Sequence, residues 1–354
     1  MDGKALTSKE EKAETFREIL KKRFAGAENV GFDADHKARI EAEVLEGITK
    51  EKEANDFKPN FIGEMERNIR QLKLNSAPGK DGILPSMLKN MPLEFRIHVL
   101  QLFNLSLREG KLPAAWKESR ITMLPKKPPA SNPNNYRPIS LLSCLSKLLE
   151  RIVAQRIADF LRKNGILLRQ QSGFRCARRT TDNLAFQTQM FQEAFSGRNT
   201  SGKNVLELLF DIQAAFDAVW HYGLIHKLLL IRVPGYLVLW FLDFLTGRMF
   251  DVKVGGYVTQ LTAIGTGVPQ GSPASPILFS VFINDMPMRF SRENGYTLLF
   301  ADDLTAFFFF ENVKLNNVSI VKRVTDYLKE IENWLCKWRL TMAPAKCSNT
   351  VFSH

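Results

Sequence analysis

The chain has 354 residues, 45% of them hydrophobic and 24% charged, with a formal net charge of +12 at pH 7 and a pI near 9.5. That is the make-up of an ordinary globular protein long enough for two or three subdomains, and its basic balance points to a polyanionic partner, nucleic acid before an anionic membrane surface. No apolar run approaches the roughly 18 residues of a membrane span, the polar start MDGKALTSKEEKAETF is no secretory signal, and Cys144, Cys176, Cys336 and Cys347 lack the paired spacing of a zinc site or disulfide framework, which fits a reducing compartment.

Residues 1–70 are rich in Glu, Lys and Ala, with helical spacing at Phe16, Ile19, Leu20, Phe24 and again at Ile40, Val44, Leu45, Ile48. They read as a charged helical N-terminal extension or linker without chemistry of its own. A turn-rich loop, Asn75 to Gly82, leads into helical patterns at 87–91 and 95–108, with Gly110 as a stop. A short strand at 120–124, a Lys/Pro loop and a second strand at 135–142 follow. Leu145 to Leu161 reads as an amphipathic helix, and a further helix runs to Phe195, capped by Thr181 or Asp182.

After a Gly/Ser/Asn-rich loop at 196–204, Val205 to Phe210 has the pattern of a buried strand ending at Asp211, and the next residues read as a helix carrying Val219 and Trp220. A helix over 236–245, a hairpin around Gly255-Gly256, a Gly-rich loop at 265–273 and an apolar helix over 275–284 come next. Then Tyr296–Leu299 and Leu304–Phe310 flank Phe300-Ala301-Asp302-Asp303, a strand–acidic turn–strand signal. An amphipathic helix over 318–336 and a short strand at 350–352 close the chain.

Two adjacent carboxylates on a hairpin tip repel each other, and a hard divalent cation is the simplest remedy. Asp211, at the end of a separate strand, can join Asp302 and Asp303 in an acidic cluster able to hold two Mg²⁺ ions and run an in-line phosphoryl displacement. Lys126 and Arg137, on a two-stranded element, can grip a triphosphate, Arg bidentately. Phe216, five residues past Asp211, can press on a ribose, and the small residues of 265–272 let backbone approach a base pair closely.

These segments resemble the reverse transcriptases of non-LTR (LINE-like) retrotransposons, in particular the jockey-like insect elements. The resemblance rests on SAPGKDGI at 76–83, LPKK at 124–127, NYRPISLL at 135–142, QSGFR at 171–175 and TTD at 180–182, then on DIQAAFDAVWH at 211–221, GVPQGSPASPILF at 267–279, FADD at 300–303 and the Lys346 segment, in the family's order over about residues 70–352.

The family implies an α+β right-hand polymerase, its palm a small antiparallel sheet packed on helices. Residues 71–204 then hold the fingers with part of the palm, and 205–354 the palm with the catalytic aspartates. By position, Asp211, Asp302 and Asp303 match metal-binding catalytic aspartates, and the Ile212 carbonyl a further metal contact. Phe216 matches the gate against a ribose 2′-hydroxyl, Gln270 and Gly271 the loop beside nucleotide and template, Lys126 and Arg137 the triphosphate contacts, and Lys346 the proton donor to pyrophosphate. Arg175, Arg178 and Arg179 fall where template backbone is expected, and Asp217 reads as a structural charge at a helix start.

Implied partners are an RNA template, a DNA primer and dNTPs, with two Mg²⁺ (Mn²⁺ as the alternative) and no membrane. The implied setting is an intracellular ribonucleoprotein, nuclear or cytoplasmic. Phe300 replaces the family's usual Tyr, Ala274 a common Leu, and Gln213-Ala214 a more charged pair. Too few residues follow Lys346 for the expected primer grip and thumb, so the thumb is expected to be absent or truncated. The readings are therefore an RNA-directed DNA polymerase or an inactive remnant that at most binds nucleic acid.

Overall fold

The run Phe307 to Phe310 is buried on both sides, and it marks the centre of a sheet covered on two faces. The computed structural model describes residues 8–26, 31–54, 56–126, 132–196, 203–291, 295–311 and 318–353. In it the chain forms two compact units: one takes Met1–Glu28, Lys37–Asn164 and Phe216–Leu278, the other Asn29–His36, Gly165–Ala215 and Phe279–His354.

The second unit is built on a five-stranded sheet in the order Ser348–Phe352, Lys203–Phe210, Asp303–Glu311, Gly295–Phe300, Phe290–Ser291, every neighbour antiparallel. Successive side chains alternate between faces. Phe307 and Phe309 pack with Val205 and Leu298 beneath Met190, Phe186 and Phe191 of the Thr180–Ser196 helix. Phe308 and Phe210 turn the other way, onto Tyr327 of the Val318–Trp338 helix, at ring distances of 5.7 and 6.5 Å. Each buried Phe is worth about 1.5–3 kcal/mol in transfer terms, so two helices clamp one sheet and hold its strand register firmly.

The first unit carries a second sheet. Glu118–Pro125 pairs antiparallel with Tyr136–Leu141 and parallel with Arg248–Val254, which takes Tyr257–Val258 and Thr262–Ile264 as antiparallel neighbours. The Lys9–Phe24 helix, opened by a Ser8/Glu11 capping box, lays Leu20 and Phe24 on Ile121, Phe250 and Val252 of this sheet. The SAPGKDGI loop is absorbed here as well: Lys80 Nζ lies 2.6 Å from Glu118 and 3.3 Å from the buried Asp251, which Arg120 grips bidentately at 2.9 and 3.2 Å.

The α+β reading and most elements agree with the periodicities, down to Gly110 as a left-handed helix stop at φ 59°. Three points differ. The sequence boundaries at 70 and 204 are not those of the units, because the first helix belongs to the core of the first sheet. The helix expected after Asp211 is a series of turns, and regular helix starts at His221; Ala214 has φ 48°, and the Phe216 and Val219 carbonyls accept from Val268 N and Gly267 N rather than from their own helix. The acidic turn is Ala301-Asp302, since Asp303 already pairs with Phe300. Lys127, the Pro128-Pro129 loop and most of the expected 196–204 loop lie outside the described residues.

Candidate active site: an acidic strand end beside an acidic turn

Phe210 pairs with Leu304, so the same register carried one residue further sets Asp211 opposite Asp303, with Asp302 next to it in the turn. Like charges opposite each other on neighbouring strands repel. Burial first, then the Asp302 and Asp211 charges, push the Asp303 carboxyl above its ordinary 3.8, while Lys346 pulls it down. Lys346, at the end of the Pro344–Lys346 turn, also places Nζ 2.6 Å from Asp211 Oδ2. The segment after Asp211 is fastened to the same stretch: Ala343 N donates to Asp211 O (2.8 Å), Gln213 N donates to Thr341 O (2.8 Å), and Ile212 bridges Met342.

The donor set is oxygen-only and mutually repulsive, the chemistry a hard divalent cation relieves. No group of three His, Cys, Asp or Glu side chains among the described residues is spaced to close around an ion, and one of the three carboxylates is held by Lys346. In kind and charge the residues suit a hard divalent cation, with Lys346 as the cation that stands at Asp211.

The turn has a support that sequence reading missed. The side chain of Gln171, only 1% exposed, brackets Ala301: Oε1 accepts from Ala301 N (3.1 Å) and Gly173 N (2.7 Å), and Nε2 donates to Ala301 O (3.3 Å). Ser172 N donates to Leu299 O at 3.0 Å. A Cβ on Gly173 would meet Ala301 N at 2.1 Å, so position 173 has room only for Gly. The QSGFR segment marks the loop in sequence, but nothing in it names Ala301, 130 positions away, as the partner of Gln171. Arg175 Nη1 donates to Leu168 O (2.7 Å) and Gln171 O (3.2 Å), bracing this loop. Arg178 reaches Arg169 O (3.4 Å), and the Arg179 side chain is exposed.

The remaining expected site residues lie in the first unit. Lys126 and Arg137 are exposed at the loop end of one hairpin, where Leu124 pairs with Arg137 and Lys126 N donates to Asn135 O at 2.7 Å. Phe216 is half-buried, in a turn and not on a helix face. Gln270 and Gly271 sit in the Gly-rich loop, which is pinned by Ser140 N donating to Gln270 O at 2.7 Å. Gly271 has φ 126°, and a Cβ there would meet Ser140 O at 2.6 Å. Asp217 is no helix-start charge: it is 3% exposed and accepts from Gln270 Nε2 (2.7 Å) and from Arg23 Nη1 (3.3 Å).

Residues 124–352 match the profile of the family described as Reverse transcriptase (RNA-dependent DNA polymerase). A Drosophila melanogaster protein named Probable RNA-directed DNA polymerase from transposon BS is 32% identical over 362 residues, covering 99% of this chain and 38% of that protein. The RNA-directed DNA polymerase from mobile element jockey of Drosophila funebris is 30% identical over 360 residues, covering 99% of this chain and 37% of that protein. The chain thus spans less than two fifths of the length of these relatives. Among solved structures, apo telomerase from Candida Tropicalis truncated from its C-terminal domain aligns over 68% of this chain and 51% of that chain, at 16% identity and a TM-score of 0.47, too distant to bear on the fold.

Proposed function

This chain belongs to the reverse transcriptase (RNA-dependent DNA polymerase) family, and on that premise we propose that it is an RNA-directed DNA polymerase, adding deoxynucleotides from dNTPs to a primer 3′-hydroxyl on an RNA template. The observation that carries this reading is the strand register that sets Asp211 opposite Asp303, with Asp302 beside them. We assign the sheet that bears them to the palm of a right-hand polymerase, and the hairpin of Lys126 and Arg137 to the fingers.

The carboxylates of Asp211, Asp302 and Asp303, with the Ile212 carbonyl, would hold two Mg²⁺ ions, Mn²⁺ being the alternative. Bound there, such ions supply the positive charge that stabilises the transferring phosphate. Lys126 and the Arg137 guanidinium take the triphosphate oxygens and orient it. The primer 3′-hydroxyl releases its proton to solvent as its oxygen bonds to the α-phosphorus and the bond to pyrophosphate breaks, and the Lys346 ammonium gives that leaving group a proton. Phe216 closes the space a ribose 2′-hydroxyl would need. The Gln270-Gly271 loop lies along nucleotide and template, and Arg178 and Arg179 meet template phosphates, with Arg175 bracing the Leu168–Gln171 loop before them.

The relatives are named as polymerases of a transposon and a mobile element, so the template class we assign is the RNA of a non-LTR retrotransposon, in a nuclear or cytoplasmic ribonucleoprotein. The test is template direction. On poly(rA)/oligo(dT) with Mg²⁺ the chain incorporates dTTP and not dGTP, and on poly(rC)/oligo(dG) the preference reverses. RNA binding without directed incorporation would leave the inactive-remnant reading in its place.

A further inference from the structure

The N-terminal helix ends on the Gly-rich loop. Phe24 O, the carbonyl at the last turn of Lys9–Phe24, accepts from Gly265 N (2.9 Å), Thr266 N (3.0 Å) and Thr266 Oγ1 (3.3 Å). One residue earlier, Arg23 Nη1 lies 3.3 Å from Asp217 Oδ2, and the other oxygen of that carboxylate accepts from Gln270 Nε2 at 2.7 Å. Thr266 Oγ1 also donates to Asp217 O (3.0 Å), Val268 N to Phe216 O (2.8 Å) and Gly267 N to Val219 O (2.8 Å). The loop expected beside the nucleotide is therefore laced both to the turn that holds Phe216 and to a helix about 240 residues earlier in sequence.

The chemistry of Asp217 gives this lacing a direction. A carboxylate only accepts hydrogen bonds. While Asp217 is ionised, the Gln270 amide must present its NH₂ to it, which leaves Oε1 as the acceptor the side chain turns elsewhere. Asp217 is 3% exposed, and burial raises its pKa; the Arg23 charge is the largest opposing influence, ahead of the Gln270 bond and of Lys126. A buried carboxylate keeps its charge only with such a partner.

We propose that Arg23 is a positioning residue of the polymerase site: by holding Asp217 as an acceptor it fixes the orientation of the Gln270 amide and the path of the 265–271 loop. This rests on the reading of that loop as nucleotide-facing. It gives the first helix a part in dNTP selection that the sequence, read as a charged extension, did not suggest.

The test is steady-state dTTP incorporation on poly(rA)/oligo(dT) by Arg23→Met, Arg23→Lys, Asp217→Asn and the Arg23→Met/Asp217→Asn pair. Losing one charge-assisted contact predicts that Arg23→Met and Asp217→Asn each raise KM for dTTP about tenfold with kcat within about twofold. The pair should be no worse than either single change, and Arg23→Lys should recover most of the loss. An unchanged KM in Arg23→Met, or KM, kcat and melting temperature all worsening with Arg23→Lys no better than Met, overturns the proposal.

Hydrogen exchange reads the same claim without turnover. In Arg23→Met the amides of Thr266 to Val268 exchange faster while those of the Lys203–Phe210 and Asp303–Glu311 strands are unchanged; equal exchange in the loop also overturns it. A wild-type chain that incorporates no dTTP would count against the polymerase reading, and the exchange result would still decide the role of Arg23 in holding the loop.

Discussion

Lys346 Nζ lies 2.6 Å from Asp211 Oδ2, so the strand-end carboxylate of the acidic cluster is already paired with a cation. Lys346 is 62% exposed, which limits the pair to about 1 kcal/mol or less. A divalent ion must displace it or share its carboxylate. Lys346→Met should therefore tighten Mn²⁺ binding up to about fivefold by calorimetry, while incorporation slows for want of the proton donor. Unchanged or weaker Mn²⁺ binding would contradict the pairing as a competitor.

Gln171 and Gly173 make a second, purely structural prediction. Gln171→Ala removes the acceptor of Ala301 N and the donor to Ala301 O, and should cost about 2–3 kcal/mol in urea denaturation. Gly173→Ala forces its Cβ against Ala301 N, so the turn bearing Asp302 must move. Its loss of incorporation should exceed its loss of stability, and equal losses would show that the turn position is not critical.

The electrostatics of the cluster set the sign of a pH effect. Asp303 has its carboxyl raised above 3.8, by burial first and the neighbouring aspartates next, so the native state holds the proton more tightly than the unfolded chain. Stability without metal then falls as pH rises from the ordinary carboxyl value through the raised one. Glu207, raised by burial against its Gln187 bond, and Asp217, raised by burial against Arg23, act in the same direction. Asp303→Asn should raise the metal-free melting temperature at neutral pH and flatten the fall in stability that sets in above the ordinary carboxyl value of 3.8, while abolishing stabilisation by Mg²⁺. A lower melting temperature at neutral pH would contradict this.

Phe216 sits in a turn whose carbonyl is bonded to Val268 N at 2.8 Å, so its ring is carried on a fixed backbone. Phe216→Val should relax discrimination between dTTP and UTP on poly(rA) by up to about 10²-fold, with little effect on dTTP itself. Unchanged discrimination would remove Phe216 from the gate.

Local pattern carried the reading far in the second unit. A buried strand ending in Asp211, and two aromatic runs around Asp302, define the cluster once their strands pair. The turn still slipped by one residue: Ala301, at a left-handed φ of 58°, and Asp302 form it, while Asp303 already pairs with Phe300. Residues 212–220 have helical composition, yet their backbone groups are engaged by distant segments, and no local propensity reports that. Arg23 and Asp217 are 194 positions apart, and Gln171 and Ala301 130. Neither pair leaves a mark in one sequence, because each residue is ordinary in its own neighbourhood.

The most direct measurement is primer extension on poly(rA)/oligo(dT) with Mg²⁺ and dTTP, wild type beside Asp302→Ala plus Asp303→Ala. The wild type should extend the primer and the double variant should not, with both chains folded and binding RNA equally. Extension that survives loss of both aspartates, or a folded, RNA-binding wild type that extends nothing, would contradict this.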